Sequence, residues 1–318
     1  MERLPGDRPV PEHLRGAVVA LGNFDGFHIG HQAVVGRALA LARAAGRPAL
    51  VATFDPHPAR LFRPDAPPFL LTSIEQRFDL FEAFGMDGAL ALPFDHALAR
   101  LGPEHFMAEW LVGRLGATAL VTGEDFTFGK DRAGNTAMLR TLARERGMVA
   151  ETIAPIEAEG GIASSTRIRE HLRAGDPQAA ARLLTRPFAI RGAVQHGDKL
   201  GRTIGYPTAN VAIGDTLRPA YGVYAVRGRL APDSPFGARV VDGAANLGIR
   251  PQFDPPKELL EPTFFDFSGD LYGQTIDVEL IEFLRPEAKF DSLDALIVQI
   301  DADCAKARQI LAARASAL

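Results

Sequence analysis

The sequence predicts two domains, a doubly wound α/β domain followed by a small antiparallel β-barrel with a terminal helix, and three observations carry the prediction. At 318 residues the chain exceeds what one hydrophobic core usually serves. Its first half alternates β-rich runs with helical periodicity, whereas its second half is a succession of strand-like runs cut by glycine, proline and aspartate clusters. The change follows DPQAAARLL, so the expected domains are residues 1–184 and 185–318.

In the first half, AVVAL (17–21), ALVAT (49–53) and TALVT (118–122) read as strands, with helices expected over His31–Ala45 and Glu104–Leu115 between them. Strand and helix in alternation give a parallel sheet, whose ligands bind beyond the carboxyl ends of the strands. GNFDGFHIGH, TFDPHP and TGEDFTFG all occupy such ends. A polar EAEGG (157–161) then leads to SSTRIREHLRAGD and a last helical stretch. In the second half, FAIRGAVQHG, GVYAVRGRL, ARVVDGAANLG, TFFDF and TIDVELIEFL are the strand-like runs. Leu293, Leu296, Ile297, Ile300 and Ala307 mark one packed helix, expected to close the barrel.

Composition excludes several classes. Hydrophobic residues at 47% and charged residues at 23% leave little room for long disordered tracts. With 35 Lys and Arg against 39 Asp and Glu there is no bulk positive field, so no nucleic-acid partner is expected. The single cysteine, Cys304, excludes an intramolecular disulfide and fits a reducing cytoplasm. No run approaches the roughly 18 apolar residues of a membrane span, and no secretory h-region opens the sequence, so neither membrane insertion nor secretion is expected.

Two segments carry phosphate chemistry. In HIGH, His28 and His31 lie three apart after a strand and a glycine turn, so both imidazoles can face one point near a helix N-terminus, where backbone N–H groups and the dipole attract phosphate. Gly22, Gly26 and Gly30 allow close backbone approach. Ser164, Ser165 and Thr166 with Arg167 and Arg169 form a second candidate phosphate clamp. Plain helix capping is the alternative for each element taken alone. In the second half, HGDKLGRTIGYPTANV places Gly197, Gly201 and Gly205 beside Lys199 and Arg202, which suits a polyphosphate, and it lacks the GK[ST] end of a P-loop. Thr208 and Asn210 in PTAN are hard oxygen ligands for Mg²⁺ on a nucleotide, and two residues apart on a strand they share a face. By itself PTAN reads better as a turn entering a strand.

GNFDGFHIGH, TFDPHP, GEDFTFGKDRAGN and SSTRIR, in that order, resemble the adenylyltransferase half of prokaryotic bifunctional riboflavin kinase/FAD synthetases, and the glycine-rich stretch ending in PTAN resembles their riboflavin kinase module. The matches cover most of the chain. The resemblance implies a Rossmann-like HxGH nucleotidyltransferase domain and a riboflavin kinase-like barrel, which convert riboflavin and ATP to FMN and ADP, then FMN and ATP to FAD and diphosphate, with Mg²⁺. It implies that His28 and His31 contact ATP phosphates, that Gly22, Asn23, Phe24, Asp25, Gly26 and Gly30 belong to the same loop, and that SSTRIR closes over the phosphates. Asp55 and His57 fall in the flavin neighbourhood, and Asp125, Phe126 and Phe128 near flavin or adenine. Pro207 belongs to the kinase loop. Glu261 maps onto the family's catalytic base toward the ribityl 5′-hydroxyl, with Glu258 as competitor. Phe264, Phe265 and Phe267 read as core rather than flavin contacts, and Arg285 as a surface ion pair.

Two departures weaken the kinase match: Pro262 and Thr263 stand where an aliphatic residue and histidine often follow the glutamate, and RPTF becomes RPQF at 250–253. Hence a second reading, in which only the adenylyltransferase is active and the barrel regulates or binds flavin. HIGH also fits a class I tRNA synthetase, but that reading leaves DFTFG and PTAN unexplained.

Overall fold

The apolar runs 18–21 and 49–54 are buried along their whole length, as strands covered on both faces must be. They are β2 (Val18–Leu21) and β3 (Ala49–Asp55) of a six-stranded parallel sheet that also holds β1 (Glu2–Pro5), β4 (Gly88–Pro93), β5 (Ala119–Gly123) and β6 (Val149–Ile153), in the order β1-β4-β3-β2-β5-β6. The structure is a computed structural model and describes residues 1–196, 205–250 and 257–315. It divides into two compact units, Met1–Pro67 with Ile74–Ser164, and Pro68–Ser73 with Ser165–Leu318.

In the first unit, α1 (Ile29–Ala45) and α3 (Ile74–Ala83) cover one sheet face through Val34, Val35, Ala38, Ala42 and Phe81. The other face is covered by α6 (Thr136–Arg144) and by a helix that opens as α5 (Pro103–His105). That helix continues through Phe106–Arg114 with π-type bonds such as Leu115 N–H to the Trp110 carbonyl, where the sequence gives no sign of the wider turn. Short helices α2 (Pro58–Phe62) and α4 (His96–Ala99) follow β3 and β4, and a hairpin of β7 (Glu157–Ala158) and β8 (Gly161–Ile162) follows β6. The strand order reverses between β2 and β5, so their carboxyl ends form the switch point at which doubly wound sheets bind ligands.

In the second unit, β9 (Phe188–Gln195), β10 (Asn210–Val211), β11 (Gly222–Leu230), β12 (Arg239–Arg250), β13 (Lys257–Phe264) and β14 (Thr275–Pro286) form a closed antiparallel barrel in the order β10-β13-β12-β11-β14-β9. Two helices, α7 (Ser165–Arg173) and α8 (Pro177–Leu184), pack within this unit. The packing division therefore falls at Ser164, before these helices, whereas the composition change falls after them. The terminal helix α9 (Leu293–Ala315) sets Ala307 and Leu311 against Ala225, Ala244 and Ile281. It lies on the outside of a barrel that closes strand to strand, and does not itself close it.

Candidate active sites

The first site grows from the loop between β2 and α1. Gly26 (φ 83°), Phe24 (φ 50°) and Phe27 (φ 46°) all take left-handed backbone there. Two non-glycine residues hold that conformation because their rings are anchored: Phe24 and Phe27 are each 2% exposed and meet Phe81 edge-on at 5.9 and 5.2 Å. His28 is the N-cap of α1, and its Nδ1 accepts from Gly30 N–H at 3.2 Å. Nδ1 as acceptor leaves the ring proton on Nε2, a donor suited to a phosphate oxygen. A Cβ on residue 30 would stand 3.1 Å from His28 Cε1, so any larger residue would make the ring give by a few tenths of an ångström. His31, one turn on, stacks on His28 with centroids 3.7 Å apart and meets the Phe24 ring at right angles, centroids 5.4 Å apart. The cap and the paired imidazoles are thus one arrangement.

Below this loop lies a residue that the sequence reading missed. Arg77 of α3 is 1% exposed, and its Nη1 donates to the Asn23 carbonyl (2.9 Å), the Thr53 hydroxyl (2.9 Å) and the Phe54 carbonyl (3.3 Å). Burial lowers its pKa, against the fields of Asp25, Asp55 and Glu75. Asp25 is itself buried, and desolvation holds the Asp55 carboxyl above its usual range with Arg77 opposing. The available signal was an arginine four residues before Phe81, on the helix face that faces the core.

The other expected ligand residues follow the carboxyl ends of β3 and β5 or open α7. His57 caps α2, its Nδ1 accepting from Ala59 N–H at 3.1 Å. Asp125 is exposed and Phe126 half-buried. Phe128 is 6% exposed, packed against Phe106 and stacked on Phe126 at 5.8 Å, so its ring belongs to the core. Phe24 likewise serves the site by bracing His31. Ser165, Thr166 and Arg167 lie in the first turn of α7, preceded by Ser164, and Arg169 in the next turn donates from Nε to the Phe69 carbonyl at 2.8 Å with its guanidinium over the Phe69 ring.

The second site lies on the barrel. Gly197, Lys199, Gly201 and Arg202 lie outside the described residues. Gly205 has φ 87° and Pro207 is exposed. Val211 pairs with Leu260, and Ala209 N–H donates to the Pro262 carbonyl at 2.9 Å, so Asn210 between them falls opposite Glu261. Asn246 of β12 pairs with Glu261 on its other side. Opposed residues share a face, which gives the row Asn210, Glu261, Asn246; Thr208 lies before β10 and outside any strand, so the expected shared strand face does not extend to it. Leu247 and Leu260, next in sequence, are fully buried, so the row turns away from the barrel core. Glu261 therefore sits within β13. Glu258, three residues earlier on the same strand, points to the opposite face and is held by Arg218 Nε (2.7 Å) and Tyr221 Oη (2.5 Å). Arg285 pairs with Asp303 at 2.7 Å, and that aspartate is 6% exposed, so this is a half-buried rather than a surface pair.

Residues 10–167 match the FAD synthetase family and residues 184–311 the riboflavin kinase family. The bifunctional riboflavin kinase/FMN adenylyltransferase of Haemophilus influenzae is 37% identical over 93% of this chain and 94% of its own. This chain belongs to the bifunctional riboflavin kinase/FMN adenylyltransferase family. Its counterpart from Pseudomonas fluorescens is 40% identical over 95% of each chain. A crystal structure of a macrolide-efflux protein from Streptococcus pneumoniae is 32% identical, with a TM-score of 0.83 over 95% of this chain and 97% of that one. Among the described residues no helix is long and apolar enough to cross a membrane. As a family member the chain is an ATP-using transferase of FMN and FAD synthesis, with a kinase and a nucleotidyltransferase part.

Proposed function

We propose that both activities are live on this chain and that each uses the side chains described above. The adenylyltransferase function is assigned to residues 1–184 and riboflavin phosphorylation to 185–318. In the first, an FMN phosphate oxygen attacks the α-phosphorus of ATP and the bond to diphosphate breaks; positioning and charge neutralisation suffice. His28 and His31 donate to the phosphates, and Ser164, Ser165, Thr166 and Arg167 contribute the remaining phosphate contacts implied by the family resemblance. Arg169, whose Nε holds Phe69, belongs by the same resemblance to that clamp. In the second, the ribityl 5′-hydroxyl attacks the γ-phosphorus, ADP leaves, and Glu261 takes the hydroxyl proton.

The observation that supports the kinase assignment is the Asn210–Glu261 register, which sets the glutamate opposite the PTAN asparagine despite Pro262 and Thr263. Thr208 and Asn210 supply hard, neutral oxygens, and no group of three or more His, Cys, Asp or Glu among the described residues makes a self-sufficient metal cage. Such a donor pair fits Mg²⁺ that brings its own phosphate ligands. Thr208 and Asn210 would hold such an ion, which would supply charge neutralisation for the transferred phosphoryl group. The experiment is incubation with riboflavin, ATP and Mg²⁺, followed by chromatography of the flavins, in parallel with FMN as starting flavin. Riboflavin is expected to give FMN and then FAD. Adenylylation of FMN with riboflavin untouched would favour the regulatory reading of the barrel.

A further inference from the structure

A guanidinium buried as deeply as Arg77 costs stability unless it is well compensated, and the three acceptors bonded to it are all uncharged. Its Nε has no hydrogen-bond partner, and Asp25, Asp55 and Glu75 act on it only through space. An apolar residue of similar length would fill the same volume without that cost. The cation stands where the GNFDG and TFDPHP loops meet. It holds the carbonyl of Asn23, which also accepts from the Thr53 hydroxyl at 2.8 Å, and so clamps the peptide plane that leads into left-handed Phe24. The Phe24 ring in turn braces His31, and His31 stacks on His28.

We propose that Arg77 is a positioning residue of the adenylyltransferase site, fixing the Asn23–Phe24 peptide and the end of β3 so that the two imidazoles are held for the triphosphate. The proposal rests on the assignment of FMN adenylylation to His28 and His31. All three bonds converge on the one nitrogen Nη1, so a lysine ammonium, with three donors, can replace it where an apolar side chain cannot.

The test compares full-length wild type, Arg77→Met and Arg77→Lys for FMN adenylylation and riboflavin phosphorylation, with hydrogen exchange read over residues 22–27. Arg77→Met is expected to lower the adenylylation kcat by about tenfold or more, with the KM for ATP changed by less than about threefold, because orientation rather than ground-state binding is lost. Phosphorylation stays unchanged, exchange quickens in the loop alone, and Arg77→Lys recovers most of the kcat. Should Arg77→Met fail to fold, Thr53→Val, which removes one acceptor and the second donor to Asn23, carries the test with smaller effects in the same directions. A folded Arg77→Met, or Thr53→Val in its place, with unchanged adenylylation kcat and loop exchange overturns the proposal. So does equal loss in Arg77→Met and Arg77→Lys with exchange quickened throughout the unit. A wild type that phosphorylates riboflavin but leaves FMN unadenylylated overturns the site assignment instead.

Discussion

Asn210 stands opposite Glu261 on neighbouring antiparallel strands, fixed by the Val211–Leu260 pair on one side and the Ala209 N–H to Pro262 carbonyl bond on the other. The kinase reading joins the two chemically, an amide oxygen for the ion and a carboxylate for the proton. Asn210→Ala is therefore expected to lower riboflavin phosphorylation by about a hundredfold, in the range found when one transition-state contact is removed. It should also raise the Mg²⁺ concentration needed for half-maximal rate, while FMN adenylylation keeps its Mg²⁺ dependence. Initial rates across a Mg²⁺ series check this.

Glu258 is a structural carboxylate. Burial opposes its ionisation, but hydrogen bonds from Tyr221 and Arg218 outweigh burial and hold its pKa below the usual range. A depressed carboxylate contributes stability above its unfolded pKa and loses it as pH falls through the folded value. Glu258→Gln should therefore lower Tm by about 2–4 °C near neutral pH, with the difference shrinking below about pH 4. Riboflavin phosphorylation at 25 °C should stay within about twofold of wild type, which distinguishes it from Glu261.

Gly30 leaves room for the His28 ring, which a Cβ would meet at 3.1 Å. Gly30→Ala should shift that imidazole by a few tenths of an ångström and lower FMN adenylylation by several-fold, with phosphorylation of riboflavin unaffected. Paired rate measurements on one preparation decide it.

Phe128→Ala should behave as a core truncation, destabilising the first unit by about 3–5 kcal/mol in denaturant unfolding. The KM values for FMN and ATP, measured well below the transition, should move little, since the ring packs on Phe106 and Phe126.

The legible parts of this protein were local. HIGH and PTAN announce themselves in consecutive residues, and the apolar runs of β2, β3 and β5 need no partner to be read. The short strand β1, ERLP, gains its meaning only from pairing with β4, GALALP, which contains no β-branched residue. The strand carrying Glu261 contains Pro262, a residue that argues against a strand. Its carbonyl still accepts from Ala209, which keeps β10 in register. Arg77 was illegible for another reason: its acceptors lie 23, 24 and 54 residues away, so only the folded chain brings them together.

The central claim is two separable phosphate-transfer sites on one chain, and the most direct measurement is flavin chromatography with two variants in parallel. Glu261→Gln should lose FMN formation from riboflavin by about 10²–10⁴-fold while still converting supplied FMN to FAD. His28→Ala with His31→Ala should accumulate FMN from riboflavin and make no FAD. Loss of both reactions in either folded variant, or loss of neither in Glu261→Gln, would contradict the account.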